Sequence, residues 1–246
     1  MDDVAGLPPE VRAAWGLTSG SRRGVRPELS LERIITAAIV LADGDGLSAA
    51  SMARVAKQLG FSTMALYRHV GSKEELLAHM QDHALGSPPR DLSDGLDWRD
   101  GLTVWARQAL AQYLAHPWML DVPISGPPLM PRNLEWTDWA MGILAGQRLA
   151  PFEKLSTLML ILGLVRNEAE MVVDIWEDGE PEPDEEIVYE SRLRTVVDAD
   201  RLPALHALLE EGLFTGATEA AADNVSLDFG LHRILDGIHS LMEERT

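Results

Sequence analysis

The 246-residue sequence contains no cysteine. That excludes a disulfide framework, a thiolate zinc site and a thiol nucleophile, and it suits a reducing compartment. Long apolar runs are missing too, because Gly, Pro or a charge interrupts each before membrane length. The first residues, with Asp2, Asp3 and Glu10, lack the basic-then-apolar pattern of a secretion signal. The expected location is the cytoplasm, with no membrane partner. Neither a Gly-rich phosphate loop nor a Ser/His/Asp motif is present. Nothing in the residue pattern supports an enzyme, and no cofactor is expected.

Basic side chains are scarce, 21 against 39 acidic ones, giving a net charge of −18. Read by region, the balance changes sign. Residues 20–73 hold Arg22, Arg23, Arg26, Arg33, Arg54, Lys57, Arg68 and Lys73 against Glu28, Glu32, Asp43 and Asp45, a local +4. Residues 87–246 hold 12 basic and 29 acidic side chains, a local −17. A short basic module joined to a large acidic one is the asymmetry expected when only one end meets nucleic acid.

What is plentiful is apolar residues at helical spacing. Residues 1–29 mix Pro, Gly and Ser with four arginines and suit a flexible basic arm, with at most a helical turn near Pro9–Trp15. Behind Ser30 as N-cap, Leu31, Ile34, Ile35, Ala38, Leu41 and Ala42 predict a helix that stops at Gly44-Asp45-Gly46. Ser51 opens a second helix with Met52, Val55, Ala56 and Leu59 inward and Gly60 at its end. Ser62 caps a third, with Ala65, Leu66 and Val70 inward and Thr63, Tyr67, Arg68 and His69 nearer its outer side. So tight a connection makes the two helices cross steeply, as a helix-turn-helix does. Ser72-Lys73-Glu74-Glu75 is a capping box that starts a fourth helix running toward Leu85.

Gly86-Ser87-Pro88-Pro89 is the predicted boundary, dividing the chain into an arm over 1–29, a domain over 30–86 and a larger one over 87–246. Helical stretches recur beyond it at about 97–115, 132–149, 152–176, 201–210 and 224–243. The fold class is all-α. The run Glu177 to Glu186, with seven acids in ten residues plus Pro181 and Pro183, reads as a solvated loop.

The stretch STMALYRHVGSKEEL at 62–76 aims polar and aromatic groups outward from one short helix. The major groove of DNA admits one helix, and contacts come from its exposed face and N-terminus. Ser62 and Thr63 lie at a helix start that favours phosphate, Tyr67 and His69 carry polar tips on rigid rings, and Lys73 adds a cation. Arg22, Arg23 and Arg26 precede the first helix and suit a minor groove or a row of phosphates.

These residues resemble the DNA-binding domain of the tetracycline-repressor (TetR) family. The similarity runs through ITAAIVLADGDGLSAASMARVAKQLGFSTMALYRHVGSKEELLAHM, within which LYRHVGSKEELL is a strong signature. It implies contacts from Ser51 and Arg54 in the second helix and from Ser62, Thr63, Met64, Tyr67 and His69 in the recognition helix, with Lys73 on phosphate. It also implies a homodimer on a palindromic operator, usually repressing transcription, and release of DNA when a small molecule enters the C-terminal domain. That half resembles the tetracycline-repressor type of effector domain more weakly, through LAHPWML at 114–120, SGPPLMP at 125–131 and the apolar stretch after Pro151.

Trp105, Tyr113, Trp118, Trp136, Trp139, Met159, Arg166, Asn167, Glu170 and Met171 combine aromatic surface with a few polar groups, the composition of a small-molecule cavity. The expected effector is apolar or aromatic. Dimerisation is expected from Leu155, Leu158, Met159, Leu162 and Val165 in one helix and Val225, Leu227, Leu231, Leu235, Ile238 and Leu241 in another. Two alternatives stand beside the regulator. One is a metal-dependent helical enzyme using His79 and His83, one helical turn apart on a solvated face, although position 80 lacks the glutamate that would act as base. The other is a helical structural or interaction protein.

Overall fold

Short polar side chains set the helix starts by accepting the first free backbone N–H groups. Ser30 accepts from Arg33, Ser51 from Arg54 and Ser62 from Ala65, each at 3.3 Å, and Ser72 accepts from Glu75 at 3.0 Å. Asp97 accepts from Arg99 and Asp100 at 2.8 and 3.0 Å. These caps open α2 (Leu31–Asp45), α3 (Met52–Leu59), α4 (Thr63–Leu66), α5 (Lys73–Leu85) and α6 (Trp98–Ala115). Helix α1 (Pro9–Ala14) precedes them, and α7 (Pro131–Ile143), α8 (Pro151–Trp176), α9 (Glu185–Val196), α10 (Pro203–Glu210) and α11 (Val225–Glu243) follow.

The computed structural model describes residues 6–17, 29–123, 128–176, 185–212 and 225–244. Among them there is no strand, and no helix is long and apolar enough to cross a membrane. The chain divides into two compact units, Met1–Leu162 and Gly163–Thr246, and the division falls within α8.

In the first unit, Ile34, Ala38, Val55, Leu66, Val70, Leu76 and Met80 form a core from which water is excluded. Trp118, Met119 and Val122, from the turn after α6, are buried in that same core. The predicted boundary stretch and the turn that follows it are bonded to α7. Gly86 C=O accepts the Trp136 indole N–H at 3.0 Å, Ser87 Oγ accepts from Arg132 at 2.6 Å, and Ser93 Oγ accepts from Trp139 at 2.8 Å. Arg90 reaches Asp138 and the carbonyl of Glu135, both at 2.8 Å.

In the second unit, Leu227, Leu231 and Leu235 line the inner face of α11. A Cβ at Gly230 would lie 2.9 Å from a Leu164 methyl, so a larger residue there would have to push that side chain aside. Helix α9 corrects the sequence expectation, because it begins at Glu185, inside the acidic run read as a loop, and continues through residues assigned no helix. Its polar sequence shows no clear apolar stripe. Arg194 instead ties it to α10 through Glu210 and the carbonyl of Leu209, and to its own Glu190.

Candidate nucleic-acid interface

Helices α3 and α4 are joined by a turn in which Gly60 takes φ 77°, a left-handed conformation in which a Cβ is strained. Gly60 N–H bonds Lys57 C=O and Phe61 N–H bonds Ala56 C=O, closing α3 within two residues of Ser62. Leu66 and Val70 are fully buried, which turns Thr63, Met64, Tyr67, Arg68 and His69 outward. Met64 is 69% exposed and Tyr67 48%, large apolar or aromatic surfaces left in water.

The helix carrying them is shorter than its sequence implies. It ends at Leu66, and residues 67–70 continue as a tight turn, with His69 N–H bonding Leu66 C=O at 2.8 Å and Val70 N–H bonding the same oxygen at 3.0 Å. Tyr67 and His69 therefore project from the exit of α4. Lys73, exposed, is the first residue of α5. Here the Glu75 carboxylate accepts Gly71 N–H at 2.7 Å, one residue ahead of the N-cap, while the Glu75 backbone N–H donates to Ser72 Oγ.

Arg54 is exposed on α3, and its guanidinium is paired with the carboxylate of Asp45, the last residue of α2. Asp43, near the same helix end, accepts the Trp118 indole N–H at 2.6 Å and contacts His116 Nδ1 at 2.7 Å. Neither aspartate was singled out by sequence. Their only local signal is a pair of acids at a helix C-terminus, where the helix dipole disfavours negative charge. Arg22, Arg23 and Arg26 lie outside the described residues.

The residues proposed for a cavity lie on several elements. Trp105 meets Trp136 and Trp136 meets Trp139 edge to face, with ring centroids 6.2 and 5.5 Å apart respectively, and all three are buried. Their indole N–H groups are used internally, Trp105 by the carbonyl of Trp136 and the other two by Gly86 and Ser93. Trp118 belongs to the core of α2–α5, against which Tyr113 also packs. Met159 and Met171 are about half exposed on α8. On the same helix Arg166 pairs with Glu170 at 3.4 Å, and Asn167 lies 3.5 Å from the Met171 sulfur.

The two histidines proposed for a metal do not share a solvated face. His79 is 4% exposed and His83 is exposed. His79 Nε2 has no hydrogen-bond partner among the described residues, its nearest acid being Glu75 at 3.9 Å. Burial pushes its pKa below the ordinary histidine value, opposed by Glu75, Asp82 and Glu10. Asp82 is buried as well, which raises its carboxyl above the usual range, against hydrogen bonds from Arg132 and Asn133 that lower it. No group of three or more His, Asp or Glu suited to a metal occurs among the described residues.

A capped helix pair joined by a tight glycine turn, with an outward row of polar and aromatic groups, is the arrangement of a helix-turn-helix DNA-binding protein. Residues 34–80 match the family described as "Bacterial regulatory proteins, tetR family", and residues 89–242 match "Tetracyclin repressor-like, C-terminal domain". The chain belongs to the tetR family of bacterial transcriptional regulators. It is 34% identical over 243 residues to the HTH-type transcriptional repressor DrrR1 of Streptomyces coeruleorubidus, covering 94% of this chain and 85% of that one. Its fold is similar to that of ActR from Streptomyces coelicolor, solved in complex with actinorhodin, with a TM-score of 0.66, 24% identity, and 86% and 98% of the two chains covered. It is also similar to a TetR variant from Acinetobacter baumannii AYE in complex with minocycline, with a TM-score of 0.63, 18% identity, and 87% and 95% covered.

Proposed function

We propose that the chain is a cytoplasmic, ligand-responsive repressor that binds a palindromic operator as a homodimer and leaves it when a small apolar or aromatic molecule binds the C-terminal half. It acts by binding and not by catalysis. The observation that carries this reading is the exposed row Thr63, Met64, Tyr67 and His69 beside α4, held rigid from behind by fully buried Leu66 and Val70. Ser51, Arg54 and Ser62 position the helix pair on phosphate and base edges, Lys73 takes a phosphate, and Arg22, Arg23 and Arg26 extend the interface. The repressor name of the DrrR1 relative and the ligand complexes of the two proteins of similar fold support the same assignment.

Release requires the effector to favour a DNA-incompetent arrangement, by about 10⁴-fold in affinity for a full switch. Helix α5 is suited to carry the change, because it begins beside α4 and its far end holds α7 through Asp82. The test has two steps. A duplex is selected from a random library by the wild-type protein, and small molecules are then screened for both thermal stabilisation and loss of that duplex. A chain that selects no duplex refutes the function. An effector whose binding survives Trp139→Ala removes the Trp105, Trp136 and Trp139 group from the effector site, and one whose binding survives Arg166→Ala removes Arg166.

A further inference from the structure

The motif Asp43-Gly44-Asp45-Gly46 ends α2, and its two carboxylates sit where the helix dipole is least favourable to them. Both are nevertheless held by donors, and the donors come from opposite sides. Residues two apart on a helix point about 200° apart around its axis. Asp43 faces the turn after α6, where one oxygen, Oδ1, meets His116 Nδ1 and the Trp118 indole N–H at 2.7 and 2.6 Å. Asp45 faces α3, where it holds the Arg54 guanidinium.

The two sides differ in what lies behind them. His116 begins the short turn Pro117–Met119, whose Trp118 and Met119 are buried among the residues of α2–α5. Arg54 is the third residue of α3, its backbone N–H is fixed by Ser51, and its side chain is half exposed. Asp45 alone would be an ordinary surface partner for it, since an exposed pair adds little stability. The anchored Asp43 changes this, because a helix end gripped on one side by a buried indole cannot shift without carrying Asp45 and its arginine along.

We infer that the last turn of α2 is a coupling joint: the His116–Trp118 turn, through Asp43, sets the position of Asp45 and so of the DNA-contacting guanidinium of Arg54. Asp43 is a positioning residue, acting on DNA only through Arg54. The joint gives the downstream part of the chain a second route to the reading head, separate from α5. The inference rests on the proposed DNA-binding function, with Arg54 touching the duplex.

Affinity for the duplex selected by the wild-type protein is measured for His116→Ala, Trp118→Phe and Asp43→Ala, each alone and combined with Arg54→Ala. Each alone should weaken binding about threefold to tenfold. Once Arg54 is already alanine, each should add less than about twofold, because residues acting through one shared group give non-additive cycles. Asp43→Asn, which keeps an acceptor oxygen in place, should recover most of the affinity that Asp43→Ala forfeits. If Asp43→Ala unfolds at assay temperature, the His116→Ala cycle decides, since that ring lies at the rim of the core. Effects that add fully to Arg54→Ala overturn the joint, as does unchanged affinity in folded Asp43→Ala or His116→Ala. A wild-type chain that selects no duplex overturns the DNA-binding reading, and the joint with it.

Discussion

Asp82 of α5 accepts the backbone N–H of Arg132 at 2.8 Å and that of Asn133 at 3.3 Å, so a carboxylate from one helix caps the start of another 50 residues away. Helix α7 has Met130 at its own N-cap and no side-chain cap of its own. Asp82→Ala leaves these N–H groups unbonded and should lower unfolding free energy by about 1–2 kcal/mol, read as a shift of the urea midpoint. Asp82→Asn should cost less, because it retains an acceptor. Burial raises the Asp82 carboxyl, so its contribution to stability falls as pH rises from the ordinary carboxylate value through the raised folded one. The asparagine variant should lack that part of the pH dependence, and an identical pH profile would contradict the assignment.

His79 gives the opposite sign. Its folded pKa is lowered by burial, so the stability it permits is full above the ordinary histidine value and is lost as pH falls through the folded one. His79→Leu removes the protonation, and the variant should lose less stability between pH 7 and mildly acidic pH than the wild type. Thermal melts across that range check it. Equal losses in both proteins would place the acid sensitivity elsewhere.

Met64→Ala and Tyr67→Ala should each weaken operator binding, by about 1–3 kcal/mol for a base-edge interaction, with helical circular dichroism unchanged. The arm needs a triple substitution of Arg22, Arg23 and Arg26 by alanine. Truncation would also remove α1, whose Val11 is buried and whose neighbour Trp15 donates its indole N–H to Leu129 C=O at 2.8 Å. The triple variant should flatten the salt dependence by roughly 0.9 in log–log slope for each phosphate no longer neutralised. An unchanged slope would remove the arm from the interface.

The proposed dimer surface must be probed away from those favoured residues that the chain itself buries. Leu158, Val165, Leu227, Leu231 and Leu235 are buried within the chain, while Leu155, Met159 and Leu160 on α8 and Phe229 on α11 are exposed. Leu235→Glu should unfold the protein, since it buries an unpaired charge. Leu160→Glu and Phe229→Glu should leave the fold intact and shift sedimentation toward monomer. A dimer that survives both substitutions would show that the pairing lies on another face.

Helix starts and the outward row beside α4 were legible in the sequence because their causes are local. Ser30, Ser51, Ser62 and Ser72 each satisfy an N–H three residues on, and Gly60 supplies the left-handed turn. Burial of Leu66 and Val70 then fixes which neighbours face outward, a matter of spacing alone. Tertiary structure decided what spacing cannot express. The same heptad-like spacing serves a face toward the chain's own core and a face toward a partner, so Leu235 and Phe229 could be told apart only once packed. A tryptophan's neighbours are likewise set by which helices meet. Trp118 joins the core of α2–α5, and Trp136 meets Trp105 and Trp139 edge to face, a grouping that the spacing of these residues along the chain does not express. The pairs Asp82 with Arg132, Asp43 with His116 and Trp118, and Asp45 with Arg54 are long-range or angular matches, determined by how helix ends are brought side by side in space.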